Sequence, residues 1–378
     1  MRIAINASAL LSPLTGIGQY VKHLVEEVQR NDDLDLNLFY SSGWGKSVPE
    51  RSFRRRFGFV RKCIRDFIPN AYGLSRALQQ IHFNRGVTNS HYDIYHEPNF
   101  LPFAFQGKTV VTVHDLSWVH YPQMHPLERV KMMNKYFEAG LKSSALIITD
   151  SNFVKEELQN IFGIAPSKIH PVHLGVSNSF QKVSLQQSVQ LLQSYHLSYQ
   201  HYFLLLGTIE PRKNIRVAIE AFKQLPKNIR KKFPLVIVGT YGWNSQDVMQ
   251  EINNLKLTGE VKYLGYIPEA EIKLLVGSAT CLLYPSVYEG FGLPVLEAMA
   301  SEVPVIVSNS SSISEVVRDS GIMLDPMDTC SFSLHMYNLA IDWELREHFA
   351  MLGKKRSLDF SWKKCAEKTI NVYQEALR

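Results

Sequence analysis

The chain has 378 residues, of which 45% are hydrophobic and 20% are charged, and its formal net charge is +6. That length accommodates two domains of ordinary size, and that composition is typical of a soluble globular protein and excludes a largely disordered one. No apolar run approaches the roughly 18 residues that a membrane helix needs. The four cysteines, Cys63, Cys281, Cys330 and Cys365, form no C-x-x-C pair. The sequence therefore indicates neither a disulfide framework nor a zinc site, and we expect a reducing compartment.

Short apolar runs rich in β-branched residues alternate with helical patterns along nearly the whole chain. In the first half, the predicted strands cover residues 2–6, 36–40, 94–96, 110–113 and 146–149. After a Gln- and Ser-rich stretch near residues 183 to 200, the predicted strands cover residues 202–206, 235–238, 261–264, 280–284, 305–307 and 322–324. Continuously apolar strands separated by helices are typical of parallel sheets covered on both faces. The sequence thus predicts two doubly wound α/β domains, with ligands bound in a cleft between them, outside the carboxyl ends of the strands.

The first strand leads into a glycine-containing turn, Thr15-Gly16-Ile17-Gly18, and then into a helix predicted over residues 17–28. An apolar run that Asn6 interrupts and that ends in such a turn is typical of a buried strand rather than a signal peptide. Glycines at a helix start let backbone N–H groups approach a phosphate, although a plain turn that needs positive φ is the alternative. A nicotinamide site is disfavoured, because it would need a third small residue where Val21 stands.

Polar pairs follow two predicted strands of the first half. Residues 111–115 read Val-Thr-Val-His-Asp, so that His114 lies at the carboxyl end of a parallel strand. There it can donate a hydrogen bond to a ligand oxygen, with Asp115 orienting it, or it can be satisfied by neighbouring backbone. Glu97 follows another strand in the same way, although Pro98 also makes an ordinary turn there a simple interpretation.

Two adjacent cations follow the first strand of the second half. Residues 207–214 read Gly-Thr-Ile-Glu-Pro-Arg-Lys-Asn and precede an apolar helical pattern. Cations are unfavourable at a helix start, where the dipole is already positive, so a bound anion explains them better than a solvated face does. Arg212 can bind two phosphate oxygens through its fork, and Lys213 can act as a point charge on a third. This motif predicts a diphosphate site.

Two carboxylates stand eight positions apart in residues 289–297, Glu-Gly-Phe-Gly-Leu-Pro-Val-Leu-Glu. The amides of Gly292 and Leu293 lie at a predicted helix start and suit the same diphosphate. Glu289 and Glu297 then make sense as acceptors for hydroxyl groups, and a nucleotide sugar has hydroxyls on both sides of its diphosphate. An acid and nucleophile pair of the glycosidase type is the competing interpretation, but nothing in this segment indicates the water or sugar groove that it needs.

These motifs together resemble the retaining glycosyltransferases of family 4. The E-x7-E motif, GTIEPRKN, the TGIG loop and VHDL occur in the family's order and cover almost the whole chain. GTIEPRKN, VHDLSW and HEPNFLPF look most like the mannosyltransferases of bacterial O-antigen and capsule assembly. The resemblance implies the GT-B fold, with two Rossmann-like domains facing a central cleft. It implies an acceptor-binding domain over residues 1–182, a donor-binding domain over 183–360, and a C-terminal helix over 361–378 that crosses back to the first domain.

The resemblance also implies a role for each matching residue. The implied catalytic residues are His114, Lys213, Arg212 and Glu289. The implied donor-binding residues are Gly16, Gly18, Thr208, Arg212, Lys213, Tyr266, Ile267, Glu289, Phe291, Gly292, Leu293 and Glu297. Glu289 would hold the hydroxyls of the donor sugar and Glu297 the ribose. The turn Tyr266-Ile267 would meet the nucleobase, and His114 the transferred hexose.

The remaining implied positions concern the acceptor and one departure from the family. Glu97 and Asp115 are candidates for contact with the acceptor or the sugar. Many relatives carry Arg directly after the strand-end glycine, where this chain has Thr208, so the cationic role passes to Arg212. The family needs no metal or other cofactor. Residues 33–35 do spell the D-x-D metal motif of the other main transferase fold, but their surroundings predict a solvated turn.

The function that the resemblance implies is transfer of mannose from GDP-mannose to a polyprenyl-diphosphate-linked saccharide, with retention, in O-antigen or capsule biosynthesis. Another donor, such as UDP-glucose, UDP-GlcNAc or a GDP-linked deoxyhexose, is an alternative within the family. Two alternatives from other functional classes have the same fold: a nucleotide-sugar 2-epimerase and a catalytically silent binding protein. The sequence does not indicate the oligomeric state.

One segment is strongly basic. Residues 46–90 hold ten Lys or Arg and two acidic residues, a net charge of 10 − 2 = +8. Within it, apolar residues repeat at helical spacing at Phe53, Phe57, Val60, Ile64 and Phe67. A basic amphipathic helix predicts contact with an anionic membrane surface, whereas a helix packed on its own domain is the alternative. Nucleic acid is not expected, because no binding motif accompanies the charge. We therefore expect a cytoplasmic protein that is peripheral on the inner face of the membrane.

Overall fold

The computed structural model of the chain describes residues 1–12, 14, 16–48, 71–88 and 90–378. It divides into two compact units. The first comprises Met1–Leu116, Leu127–Gly175 and Trp362–Arg378, and the second comprises Ser117–Pro126 and Val176–Ser361. The predicted domains 1–182, 183–360 and 361–378 differ from this division mainly at residues 117–126, which belong to the second unit. Aromatic contacts explain the difference, because the rings of His120 and Tyr121 lie 5.4 Å and 5.9 Å from that of Tyr288.

The strands and helices follow one another along the described residues in the order expected of an α/β protein. The strands of the first unit are β1 (Arg2–Asn6), β2 (Asp35–Phe39), β3 (Trp44–Gly45), β4 (Ile94–Glu97), β5 (Lys108–Val113), β6 (Leu146–Thr149) and β7 (Ile169–Pro171). Those of the second unit are β8 (Phe203–Leu206), β9 (Leu235–Val238), β10 (Val261–Gly265), β11 (Cys281–Tyr284), β12 (Val305–Ser308) and β13 (Ile322–Leu324). The α-helices are α1 (Gly16–Val28), α2 (Ala71–Thr88), α3 (Ser117–His120), α4 (Leu127–Ser143), α5 (Asn152–Phe162), α6 (Leu185–Ser194), α7 (Ile215–Gln224), α8 (Lys227–Lys232), α9 (Gln246–Lys256), α10 (Glu269–Gly277), α11 (Leu293–Ala300), α12 (Ile313–Val317), α13 (Thr329–Ile341), α14 (Trp343–Ser357) and α15 (Trp362–Ala376).

The sheet of the first unit has the strand order β3-β2-β1-β4-β5-β6-β7 within the described residues. Neighbouring strands are parallel except β2 and β3. The C-terminal helix α15 belongs to this unit and packs against α1. Its Trp362 ring stacks on His23 with 4.8 Å between centroids, and its Tyr373 hydroxyl forms a 2.7 Å hydrogen bond with His96 Nδ1.

The sheet of the second unit is parallel and has the order β10-β9-β8-β11-β12-β13. Alternate residues of each strand enter two separate hydrophobic cores, so that Phe203 and Leu205 lie in one core and Leu204 in the other. Helices α7 and α13 complete the first core, and α10 and α11 complete the second. Because both faces are covered, the strands are apolar without interruption. The predicted doubly wound α/β fold is confirmed.

The strand order determines where each sheet can bind a ligand. In each unit the chain first adds strands on one side of its first strand and then continues on the other side, next to β1 or β8. The carboxyl ends of β1 and β4, and those of β8 and β11, therefore flank the switch points at which doubly wound sheets bind ligands. Both pairs of strand ends carry the polar motifs that the sequence indicated.

All eleven predicted strands are present, with ends that differ from the prediction by at most two residues. The sequence did not predict β3 or β7. Strand β3 is a two-residue antiparallel edge, and β7 is a three-residue edge strand that ends at Pro171, so neither has an apolar run long enough to recognise.

Several sequence predictions fall at the margin of what the structure describes. The amphipathic pattern between residues 53 and 67 and Thr15 of the TGIG loop lie outside the described residues. In the D-x-D segment, Asp35 is not part of a solvated turn, because it begins β2 and its carboxylate pairs with Arg2 at 3.1 Å and Lys46 at 2.8 Å.

Within the described ranges, no helix combines the length and the apolar character that crossing a membrane requires.

Candidate functional site

The two cations of the second unit lie in a tight turn between β8 and α7. Residues 211–213 form a 3-10 turn, so Arg212 and Lys213 precede the helix rather than begin it as predicted. Asn214 joins the turn to the helix with a left-handed φ of 52°, a conformation that asparagine tolerates. Its side-chain amide donates to the carbonyls of Pro285 at 3.1 Å and Pro326 at 2.6 Å. The turn is thereby fixed against the end of β11.

Lys213 points across the switch point to the end of β11. Its Nζ donates to Glu289 Oε1 at 2.6 Å and to the Tyr284 hydroxyl at 2.8 Å. Burial alone would lower the pKa of Lys213, but the Glu289 carboxylate outweighs burial and raises it. The side chain therefore carries its positive charge at every physiological pH.

Arg212 bridges two carboxylates with the two ends of its guanidinium group. Nη2 donates to Glu210 Oε1 at 2.7 Å, and Nη1 donates to Glu289 Oε2 at 2.8 Å and to the carbonyl of Tyr288 at 2.7 Å. Two carboxylates and two cations thus form one cluster whose formal charges sum to zero. We call Glu210, Arg212, Lys213 and Glu289 the ion cluster.

Glu289 is the centre of the ion cluster. Burial alone would raise the pKa of its carboxyl group, but Arg212 and Lys213 hold it at about 2. The backbone around Glu289 is also fixed, because its N–H donates to Ser311 Oγ at 2.8 Å and its carbonyl accepts from Ser312 Oγ at 2.8 Å. The carboxylate is charged and held in place.

The segment after Glu289 brings a helix N-terminus to the same end of the sheet. Gly292 caps α11 with φ 107°, and a Cβ atom there would lie 2.5 Å from Ile313 Cδ1, so the position requires glycine. Leu293 is the first residue of α11 and, like Gly292, is buried. Phe291 is also buried, with its ring 5.8 Å from that of Phe360. The side chain of Phe291 therefore packs into the protein interior and anchors the loop.

Glu297 lies one turn inside α11 and is partly exposed. Burial, with a smaller contribution from the Glu269 carboxylate, raises the pKa of Glu297 to about 8. Within the described residues, no hydrogen bond engages its carboxyl group, which leaves both oxygens able to accept ligand hydroxyls. Its pKa thus differs from that of Glu289 in the opposite direction, although both belong to the E-x7-E motif.

The remaining donor candidates of the second unit lie at neighbouring strand ends. Tyr266 and Ile267 follow β10, where Tyr266 is 59% exposed and Ile267 is buried. The ring of Tyr266 can therefore meet a ligand, and Ile267 can do so only through its backbone. Thr208 follows β8, is partly exposed and takes no part in the ion cluster.

In the first unit, His114 is held through both of its ring nitrogens. Nδ1 lies 2.8 Å from Asp150 Oδ2, and Nε2 lies 2.8 Å from the carbonyl of Pro98. Burial alone would lower the pKa of His114, but Asp150 and the Pro98 carbonyl raise it. The expectation that Asp115 orients His114 is wrong, because Asp150, at the end of the neighbouring strand β6, occupies that position. Asp115 is partly exposed.

Glu97 forms a closed hydrogen-bonded group at the other switch point. It is buried and accepts from Asn6 Nδ2 at 2.7 Å, from the Tyr95 hydroxyl at 2.6 Å and from the Asn99 N–H at 3.1 Å. Burial raises its pKa to about 7. These partners occupy the carboxyl group from several sides, so Glu97 joins the ends of β1 and β4 rather than presenting an open acceptor.

The two glycines of the TGIG loop differ in their surroundings. Gly16 is exposed at the first position of α1, whereas Gly18 is buried. A Cβ atom on Gly18 would lie 3.0 Å from Leu14 Cδ2, a tight contact. Gly16 therefore leaves the N-terminus of a long helix accessible, and Gly18 allows close packing behind it.

Sequence reasoning missed three residues that complete these groups: Glu210, Tyr284 and Asp150. Glu210 lies inside the quoted GTIEPRKN motif, and Asp150 follows β6 as His114 follows β5. The rule that strand ends carry functional side chains could have identified Asp150. In the part of the chain that the structure describes, no three His, Cys, Asp or Glu side chains are grouped as metal ligands.

Comparison with known protein families gives matches along both halves. A family model described as Glycosyltransferase Family 4 matches residues 14–180, and one described as Glycosyl transferases group 1 matches residues 194–356. The chain is 34% identical to the O-antigen chain mannosyltransferase B of Escherichia coli over 385 aligned residues, which cover 99% of this chain and 100% of that protein. The resemblance indicated by the sequence motifs is thus confirmed.

Solved structures with the same fold are more distant in sequence. The sucrose-phosphate synthase of Thermosynechococcus elongatus superposes with a TM-score of 0.79 at 18% identity, covering 99% of this chain and 98% of that one. WaaG, a glycosyltransferase involved in lipopolysaccharide biosynthesis, superposes with a TM-score of 0.71 at 14% identity, covering 98% and 99%. At such identities the likeness concerns the fold alone, and the predicted GT-B architecture is confirmed.

Proposed function

Because the chain belongs to the family 4 glycosyltransferases, we propose that it transfers mannose from GDP-mannose to a saccharide on a polyprenyl diphosphate carrier, in the biosynthesis of an O-antigen or capsule. The observation that carries this proposal is the full-length similarity to an O-antigen chain mannosyltransferase. The ion cluster at the switch point of the second sheet supports it, because a nucleotide diphosphate needs cations at that place.

The second unit would bind the donor through the ion cluster and α11. Lys213 and Arg212 would pair with the diphosphate, together with the amides of Gly292 and Leu293 at the start of α11. Glu289 would accept hydrogen bonds from the sugar and Glu297 from the ribose. The raised pKa of Glu297 indicates a carboxyl group in a weakly solvated place, where a hydroxyl partner is worth more than in water.

The first unit would take the acceptor, and the reaction would proceed with retention and without a metal. The bond between the anomeric carbon and the diphosphate oxygen breaks, and the acceptor oxygen bonds to that carbon on the same face. The departing diphosphate takes the acceptor proton. Arg212, Lys213 and the N-terminus of α11 would stabilise the charge that develops on the leaving group.

A screen of labelled nucleotide sugars tests the donor assignment. We expect GDP-mannose to bind more tightly than UDP-glucose, UDP-GlcNAc or a GDP-linked deoxyhexose. Incubation of the protein with GDP-mannose alone then separates the reaction classes. A transferase barely consumes the donor without acceptor, whereas an epimerase turns it over, and a silent binding protein leaves it unchanged even when acceptor is present.

We further propose that the protein associates with anionic membranes through its basic segment. Residues 46–90 carry a net charge of +8. Among the described residues of this segment, Leu74, Leu78 and Ile81 lie at positions i, i+4 and i+7 of α2 and are 59%, 51% and 49% exposed. An exposed apolar row beside positive charge is typical of helices that lie at a lipid surface.

Vesicle sedimentation tests this association. Each basic side chain near anionic lipid contributes roughly 1 kcal/mol, so replacing Arg54, Arg55 and Arg56 by Ser should release the protein from anionic vesicles, as raised salt should. The matched control replaces Lys227, Lys231 and Lys232, which are exposed in the second unit, and should sediment like wild type. Equal binding of the wild type to neutral vesicles would contradict the proposal.

A further inference from the structure

Glu210 is the least exposed member of the ion cluster, so it can influence the site through its neighbours rather than by contacting a ligand. Its side chain is only 3% exposed, against 13% for Arg212. It precedes the 3-10 turn, and its carbonyl accepts the N–H of Lys213 at 3.1 Å. Its carboxylate and its backbone therefore both belong to the framework of the turn.

The hydrogen bonds give Glu210 a route to the centre of the cluster. Arg212 uses Nη2 for Glu210 and Nη1 for Glu289 and the carbonyl of Tyr288. A guanidinium group is planar and rigid, so fixing one end determines the direction of the other. The orientation of the Glu289 carboxylate thus depends on Glu210 through Arg212.

The charge of Glu210 matters as well as its position. With Glu210 charged, the two cations of the cluster are balanced by two carboxylates. Without that charge, Glu289 would be the only carboxylate facing both Arg212 and Lys213, and the cluster would carry a net charge of +1. An anion would then bind at least as well, while Glu289 would be held more tightly to the cations and would be less able to accept a sugar hydroxyl.

We propose that Glu210 is a positioning residue for glycosyl transfer: its carboxylate holds the Arg212 guanidinium group and thereby sets the carboxylate of Glu289 for the donor sugar. This inference rests on the proposed function, in which Glu289 contacts the sugar and the cations contact the diphosphate. It predicts an effect on turnover that is separate from the effect on nucleotide binding.

The central test is Glu210→Gln, which preserves size and hydrogen-bonding ability but removes the charge. We expect kcat to fall about tenfold to hundredfold, as for a misplaced reacting group, while the Kd for GDP and for inorganic pyrophosphate stays within threefold of wild type or decreases. Glu210→Asp, which restores the charge, should recover part of kcat. The matched control is Glu220→Gln, since Glu220 pairs with Lys223 on the surface of α7 and should leave both quantities unchanged.

A double-variant cycle shows whether Glu210 acts through Arg212. We expect Glu210→Gln to lower kcat no further when Arg212→Gln is already present, and the changes in Tm of the two variants to be less than additive. A Glu210→Gln variant with wild-type kcat, a parallel loss of kcat and pyrophosphate affinity, or additive changes in the cycle would overturn the inference. Wild-type protein that transfers no mannose would instead contradict the proposed function. In that case, the additivity of the Tm changes and the binding of pyrophosphate would still test whether Glu210 orients Arg212.

Discussion

The two switch points of this protein follow the same rule of topology but differ in charge. In the first unit, Asn6 and Glu97 join the ends of β1 and β4, and burial raises the pKa of Glu97 to about 7. In the second unit, Lys213 joins the end of β8 to that of β11, and its partner Glu289 has a pKa of about 2. A buried carboxyl group that pairs directly with neutral groups tends to be neutral, whereas one between two cations keeps its charge.

This difference indicates how one architecture serves two purposes. The Glu97 carboxyl group has its hydrogen-bonding capacity taken up by its own neighbours and links the ends of β1 and β4. The ion cluster keeps full charges, and its two cations are partly exposed, so that a ligand diphosphate could exchange partners with its buried carboxylates. We therefore expect substitutions at the second switch point to affect activity most, and substitutions at the first to affect stability.

The largest effect should come from Lys213→Ala. In the proposed function Lys213 pairs with the leaving diphosphate, so removing its preorganised charge should lower kcat by about 10² to 10³. The matched control is Lys223→Ala, a lysine paired with Glu220 and Glu251 on the surface of the same unit. Transfer assays with both variants measure the effect, and activity of Lys213→Ala within threefold of wild type would remove this residue from the site.

Glu97 should dominate the pH dependence of stability at the first switch point. The pKa of Glu97 is about 7 in the folded protein, against 4.5 for a glutamate exposed to solvent, so folding favours the protonated form. The contribution of Glu97 to the free energy of unfolding should then be complete below pH 4.5, and about 3 kcal/mol of it should be lost as the pH rises through 7. Glu97→Gln should remove this fall, as urea unfolding at several pH values can measure.

Glu289 should show the opposite dependence. Because its folded pKa is lowered to about 2, its contribution to stability is complete above pH 4.5 and is lost as the pH falls toward 2. Equal pH profiles for the Glu97→Gln and Glu289→Gln variants would show that the two switch points do not differ in charge.

The two carboxylates of the E-x7-E motif should separate nucleotide binding from transfer. Glu297→Ala should weaken GDP binding by about 0.5 to 1.5 kcal/mol, as loss of a hydrogen bond to an uncharged group does, because a carboxyl group with a pKa of about 8 is mostly neutral at pH 7. Glu289→Ala should not weaken GDP binding, because Glu289 would contact the donor sugar, which GDP lacks, yet it should impair transfer. Calorimetry that finds equal losses of GDP affinity in both variants would disprove this division.

The smallest effect concerns the orientation of His114. Asp150→Asn should lower the pKa of His114, because it removes the charge that balances the buried imidazolium form. The variant should also lower the free energy of unfolding by about 1 kcal/mol. Asp115→Asn, in a partly exposed position, should change stability by less than about 0.5 kcal/mol. NMR titration of His114 in the two variants distinguishes them. A larger pKa change in Asp115→Asn than in Asp150→Asn would show that Asp115 orients His114.

The sequence predicted more of the fold than of the site. Continuously apolar strands such as β8 and β11 are recognisable because both of their faces are buried, whereas the two residues of β3 are too few to leave a pattern. The motif residues around Arg212 and Glu289 were identified from their place after strands. Their mutual ion pairs were not, because strand-end position does not say which side chains will meet.

The same limit explains the missed partners of other residues. The pairing of His114 with Asp150 joins the ends of two strands that are 36 positions apart in sequence. Asp115 is adjacent to His114 in sequence, but both residues lie beyond the end of β5, whereas Asp150 follows the neighbouring parallel strand β6 and pairs with the His114 ring. The inclusion of residues 117–126 in the second unit likewise depends on contacts with Tyr288 that no local pattern encodes.

Calorimetry with GDP and GMP measures whether the ion cluster is a diphosphate site, because the two nucleotides differ by one phosphate. Wild-type protein should bind GDP at least about tenfold more tightly than GMP, as for one added charge-assisted contact of roughly 1.5 kcal/mol or more. Lys213→Ala should bring the two affinities close together, while Lys223→Ala should preserve their ratio. An unchanged ratio of GDP to GMP affinity in Lys213→Ala would show that the ion cluster does not bind the diphosphate.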